Sequence, residues 1–189
     1  MKSGRPLMIN AAVAGAILVL AGCAHNQPIQ ASVPDPVLSA AGQNFLFQAQ
    51  QEAANERDLA VIARNKSANK NIKTYADMVI KDDIESLQKL SQLAQKYKLK
   101  QPAAPAEDSK DVTQLKRSSR RTLDKEFLKL TVQDEGQLAG MLKGEASSPA
   151  DPDVRDYANN LMPVVETELK KAQELQSPVK NRHAKSSTF

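Results

Sequence analysis

Residues 69–98 read NKNIKTYADMVIKDDIESLQKLSQLAQKYK. Ile72, Ala76, Val79, Leu87, Leu90 and Ala94 recur at steps of three, four and eight, the mark of one apolar face on a helix of 3.6 residues per turn. A half-buried strand would alternate instead, and no such run occurs. The same period precedes this stretch over about 39–65, on Phe45, Ala49, Ala53, Ala60 and Ala63. It returns over about 112–143 on Leu123, Phe127, Leu130, Leu138 and Met141. A fourth segment, about 151–176, carries Val154, Ala158, Leu161, Val165, Ala172 and Leu175. It opens on Asp151, a side chain able to cap free amides, with Pro152 at the first helical position. The links 66–68, 99–111 and 144–150 are short or marked by Pro102, Pro105 and Pro149, and short links make successive helices antiparallel neighbours. The expectation is an all-α fold, an antiparallel up-and-down four-helix bundle over 39–176. Pro163, inside the fourth segment, cannot bond the carbonyl of Asn159 and predicts a kink there.

Composition agrees. The chain of 189 residues is 41% hydrophobic and 25% charged, which suits a folded domain; 4% aromatic, no Trp, seven Gly and two His leave little for β-sandwiches, Gly-rich phosphate loops or histidine chemistry. The formal charge of +4 overstates the basicity of the folded part. Lys2 and Arg5 sit in the first segment, and Lys180, Arg182 and Lys185 in a tail, 177–189, that reads as basic and disordered. The nearly neutral remainder argues against nucleic-acid binding. Lys116, Arg117, Arg120 and Arg121 cluster in the opening turns of the third segment, and read most simply as a solvated face.

Lys2 and Arg5 are followed by an apolar run from Leu7 to Ala21, too short for the roughly 20 residues a membrane-spanning helix needs. The run ends in Leu20-Ala21-Gly22-Cys23, which resembles the lipobox of bacterial lipoproteins. The resemblance implies a signal peptide over 1–22, lipidation of Cys23, and, with Ala rather than Asp at position 24, an outer-membrane address facing the periplasm. Cys23 is the only cysteine, so no disulfide competes for it. Pro28, Pro34 and Pro36 then make 23–38 a tether with a reach on the order of 20 Å.

Each apolar stripe is interrupted by an acid: Glu56 on the first, Asp83 on the second, Asp134-Glu135 on the third and Glu168 on the fourth. Burying one unpaired carboxylate costs several kcal/mol, against a fold stability of about 5–15 kcal/mol. The four acids must therefore bind a cation, pair with Lys or Arg, share protons, or stay at a wet rim. The rim or ion-paired arrangement is the simplest expectation. The alternative is a hard-cation site with Glu56, Asp83, Glu135 and Glu168 as ligands, and Asp82 and Asp134 behind them. His25 and His183 fall outside the helical segments, so a di-iron centre with imidazole ligands is not expected.

From about Phe45 to Leu175 the chain resembles the bacterial DUF4142 family of exported, ferritin-like four-helix proteins. The resemblance rests on Ala53-Ala54-Asn55-Glu56 with Ala63, on Ile72, Tyr75-Ala76, Met78-Val79 and Asp82, on Leu123-Asp124 before Phe127, on Asp134, and on Leu161-Met162-Pro163 leading to Glu168-Leu169. Family members carry histidines where this chain has Asp83, Glu135 and Glu168, so no imidazole role carries over. The expectation is a non-enzymatic envelope lipoprotein, without catalytic residue or cofactor. Its partners are the membrane, through Cys23, and an envelope protein, in a role that is structural, binding or stress-related. The alternative is a metal-binding or metal-storing bundle; a carrier for an apolar ligand in a gap at Pro163 is a third class.

Overall fold

The computed structural model describes residues 37–100, 108–148 and 150–177, which form five α-helices with no strand among them. These residues belong to the second of two compact units, Asp35–Phe189; the first, Met1–Pro34, lies outside the described residues. The expected signal peptide, Cys23, nearly all of the tether and all of the tail beyond Ser177 also lie outside them. No helix among the described residues is long and apolar enough to cross a membrane.

Helix α1 (Ala40–Lys66) starts at Ser39, whose Oγ accepts from the Gly42 amide at 3.0 Å. Asn69 does the same for α2 (Lys70–Lys96), its Oδ1 accepting from Asn71 N at 2.9 Å. Basic residues Arg64, Lys66 and Lys96 occupy the last turns, where they oppose the negative end of the helix dipole. Beyond α2, Lys98 takes the left-handed conformation at φ 52°, and Leu99 N bonds the Ala94 carbonyl at 2.9 Å, a helix ending normally built with glycine.

Asp151 precedes α5 (Pro152–Gln176), but its side chain makes no cap bond there. It reaches instead to the start of α1, accepting from Ser39 N at 3.0 Å and from Ser39 Oγ. The expected cap of one helix is thus a clasp on another, 112 residues away. Gly42 lies under this clasp, and a Cβ there would run into Asp151 Oδ2. Alanine in place of a mid-helix glycine ordinarily adds about 0.5–1 kcal/mol. Gly42→Ala should instead lower stability by about 1–3 kcal/mol in urea melts; a gain would show that the clasp does not hold.

The third expected segment is two helices, α3 (Lys110–Arg117) and α4 (Leu123–Ala146). Ser118 is extended, and the Ser119 carbonyl accepts from the amides of Thr122 and Leu123 while Ser119 Oγ meets Thr122 Oγ1 at 3.0 Å. Hydroxyls that bond nearby groups compete with the helical ladder, and four cations crowded into six residues add repulsion. The basic cluster therefore spans the break rather than opening a long helix, and its Arg117, Arg120 and Arg121 are exposed. Helix α5 continues through Pro163 without interruption, and Thr167 Oγ1 donates to the Pro163 carbonyl at 2.7 Å.

Helix α1 packs most extensively on α2 and α4 on α5, while the α1–α4 and α2–α5 seams are lighter. The core has two clusters. One gathers Leu59 and Ala63 of α1, Ile72 and Val79 of α2, Val112 and Leu115 of α3, Phe127 and Leu130 of α4, and Ala172 of α5. The other gathers Phe45 and Leu46, Leu90, Leu138 and Leu142, and Val154, Tyr157 and Val165. Each long helix visits both clusters, and between its two visits lies its acid.

Candidate functional site

The apolar period brings the interrupting acids to one level. Glu56, Asp83, Glu135 and Glu168, one from each long helix, line a single small cavity of about 10 Å³ together with Asp82 and Ser86. That is room for one water or one ion.

Glu56, Glu135 and Glu168 are neither at a rim nor properly ion-paired, while Asp82 and Asp83 are half-buried. Glu135 is fully buried and neither of its oxygens has a hydrogen-bond partner; Glu56 and Glu168, 3% and 5% exposed, each leave one oxygen unpartnered, as does Asp83. Glu135 lies within hydrogen-bonding reach of both Glu56 and Glu168, and Glu168 of Asp82. Two ionised carboxylates cannot bond each other, so such a pair is satisfied only when one member holds a proton.

Burial is the leading cause of every shift in the group. It raises Glu168 to about 7 and Asp83 to about 9, and raises Glu56 and Glu135 well above the usual carboxylate range, with repulsion from the neighbouring acids adding to it. Two cations oppose this weakly, Arg57 acting on Asp83 and Lys171 on Glu168. Arg57 is committed to Asp58, at 2.8 and 3.1 Å, and Lys171 is exposed with its Nζ 3.2 Å from Met78 Sδ. The simplest expectation, rim or ion-paired acids, fails for Glu56 and Glu135 because the nearest basic chains extend to the surface.

Of the two residues expected behind the ligands, Asp82 joins the cavity and Asp134 does not. Asp134 accepts from Asn55 Nδ2 at 3.5 Å, Ser109 Oγ donates to Asn55 Oδ1, and Glu52 and Asp111 lie close enough to add to burial in raising Asp134 to about 6. Its helix position turns it toward α3, expected as the start of one continuous third helix. Ser86 was missed: its Oγ lies 2.7 Å from Tyr157 Oη, a buried polar contact under the cavity. The only advance signal was a serine three residues after Asp83, where the stripe points to Leu87. The groove beside Pro163 is lined by Pro163, Glu166, Thr167, Lys170, Lys171 and Glu174, chiefly charged side chains on an open surface rather than an enclosed apolar gap for a carried ligand.

Among the described residues, no three His, Cys, Asp or Glu side chains already stand in metal-binding geometry. The cavity offers oxygen donors only.

Two solved structures share this fold at low identity. A DUF305 fragment from Deinococcus radiodurans superposes with a TM-score of 0.66 at 15% identity, covering 75% of this chain and 98% of that one. CopM in its Cu(I)-bound form superposes with a TM-score of 0.60 at 16% identity, covering 70% and 93%. No curated protein sequence matches. The family model for a domain of unknown function, DUF4142, matches residues 27–175, which takes in all five helices but the last residue of α5 and extends 12 residues before Ser39. The chain, whose described residues form helices and no strand, belongs to the DUF4142 family.

Proposed function

We propose that this protein is a non-enzymatic lipoprotein of the cell envelope whose helical domain holds one hard divalent cation among Glu56, Asp83, Glu135 and Glu168. The observation that carries the cation site is Glu135, fully buried between Glu56 and Glu168, with both oxygens unpartnered as long as the three acids are ionised. An ion of charge two supplies what those oxygens lack without adding a residue to the core. The domain is an up-and-down four-helix bundle with α3 added at one end; the alternation with which α1, α2, α4 and α5 pass the two clusters supports that arrangement. Lipidation at Cys23, followed by the tether, would hold the domain at the outer membrane, facing the periplasm.

CopM is seen with Cu(I), a soft ion that favours thiolate, thioether and imidazole. None of these lines the cavity here, so copper does not fit and Ca²⁺, Mg²⁺ or Mn²⁺ does. Among the described residues no three His, Cys, Asp or Glu side chains stand in ligating geometry, so the four acids must move together to hold an ion. That same lack favours a second reading, in which the acids share protons and no cation enters.

Thermal melts separate the two. Chelator-treated protein at pH 7.5 should gain about 5–10 °C from Mn²⁺ or Ca²⁺ at a hundredfold excess over Kd, with the gain reversed by chelator and not reproduced by Cu(I). No response to any divalent ion supports proton sharing alone. The anchor has its own test: fatty-acid labelling of the full chain should be abolished by Cys23→Ser, and persistent label would overturn it.

A further inference from the structure

We infer that the cation enters and leaves through the α2–α5 seam, with Asp82 as the residue that receives it at the mouth. This rests on the cation site proposed above. The walls of the cavity differ in exposure. Its lining residues on α1 and α4, Glu56 and Glu135 among them, are all buried, whereas Asp82 and Asp83 on α2 and Leu161 and Val164 on α5 are only half-buried. The open side is therefore one of the two lightly packed seams.

Asp82 spans that opening. Its side chain is 24% exposed, with Lys81 Nζ 3.6 Å away on the outside, and it is within hydrogen-bonding reach of Glu168 on the inside. A hydrated ion arriving from solvent meets this carboxylate before the buried ones, and can exchange waters for protein oxygens in steps rather than losing its shell at once. Lys81 is tied to both Asp82 and Glu85 and is itself exposed, so it can swing away without a packing cost. A group used only in transit lowers the barrier in both directions. It changes association and release rates by the same factor and leaves Kd nearly unchanged.

The test is rapid mixing of the full-length wild-type, D82N and V164F proteins with Mn²⁺, followed by the loss of the free-ion paramagnetic signal and by an EDTA chase. V164F narrows the mouth with a ring and touches no carboxylate charge. Both variants should slow association and release together by about tenfold, with Kd within about threefold of wild type. Unchanged rates in both variants overturn the port. A D82N Kd weakened tenfold or more with an unchanged association rate also overturns it, and makes Asp82 a permanent ligand. If wild type binds no Mn²⁺, the cation site itself is wrong, an outcome read from the equilibrium titration before any variant is compared.

Discussion

Metal-free protein should lose stability as pH rises from 5 to 9, the reverse of the usual behaviour of folded carboxylates. The sign follows from proton counts. Unfolded Asp and Glu release their protons near pH 4, whereas in the fold Glu168 keeps its proton up to about pH 7, Asp83 up to about pH 9, and burial raises Glu56 and Glu135 well above the usual carboxylate range. Between these limits the native state binds more protons than the unfolded state, so stability falls with pH. Each proton is worth about 1.4 kcal/mol per pH unit. Because the acids share protons and relax, a total loss on the order of 3 kcal/mol is expected, which is a drop in Tm of about 10 °C. Chelator-treated protein melted across this range checks it. A flat or rising Tm would mean that the acids are ionised and paired in the fold.

Glu135→Gln should raise the stability of the metal-free protein at pH 8 by about 1–3 kcal/mol and flatten that pH dependence. Glu135 faces Glu56 and Glu168, and an amide of the same shape can donate to both. The change replaces a carboxyl that must hold a proton to stay buried with a neutral amide, whose two N–H donors exceed the single O–H of a protonated carboxyl. Glu135→Ala separates loss of the carboxyl from packing. It removes the same carboxyl but leaves a void and no donor, so it should gain less or lose stability. Urea melts of the three proteins at pH 5 and pH 8 read the difference. Destabilisation by glutamine at both values would show that Glu135 acts as a bound anion rather than as a proton carrier.

Most of the fold was legible in the chain because its core is built on one repeating pattern. The stripe from Ile72 to Ala94 and the matching stripes around Phe45, Phe127 and Val154 have the period of a buried helix face, and Ser39, Asn69 and Pro152 mark three starts to within a residue. The break at residues 118–122 was hidden for a physical reason: Val112 and Leu115 keep a helical spacing with Leu123 and Phe127, so periodicity alone runs straight across it. The local competition of Ser118, Ser119 and Thr122 for backbone groups decides the matter, and a hydrophobic pattern does not record it.

The site was half legible. That Glu56, Asp83, Glu135 and Glu168 share a face with their stripes is a statement about single helices, and it held. Their depth, and the division of Asp82 from Asp134, depend on how helices rotate against each other. Asp134 and Glu135 are neighbours in the chain, yet one residue is about 100° of rotation on a helix. That rotation sends Glu135 to the cavity and Asp134 to α3. The clasp between Asp151 and Ser39 was beyond reach for a similar reason, since a local capping motif and a contact over 112 residues use the same side chain.

Equilibrium dialysis of chelator-treated wild-type and E135Q protein against Mn²⁺ at pH 7.5 tests the cation site most directly. One Mn²⁺ per wild-type chain, removed by EDTA, with none on E135Q, is the expected result. No bound Mn²⁺ on wild type, or equal binding by wild type and E135Q, would contradict a cation held among Glu56, Asp83, Glu135 and Glu168.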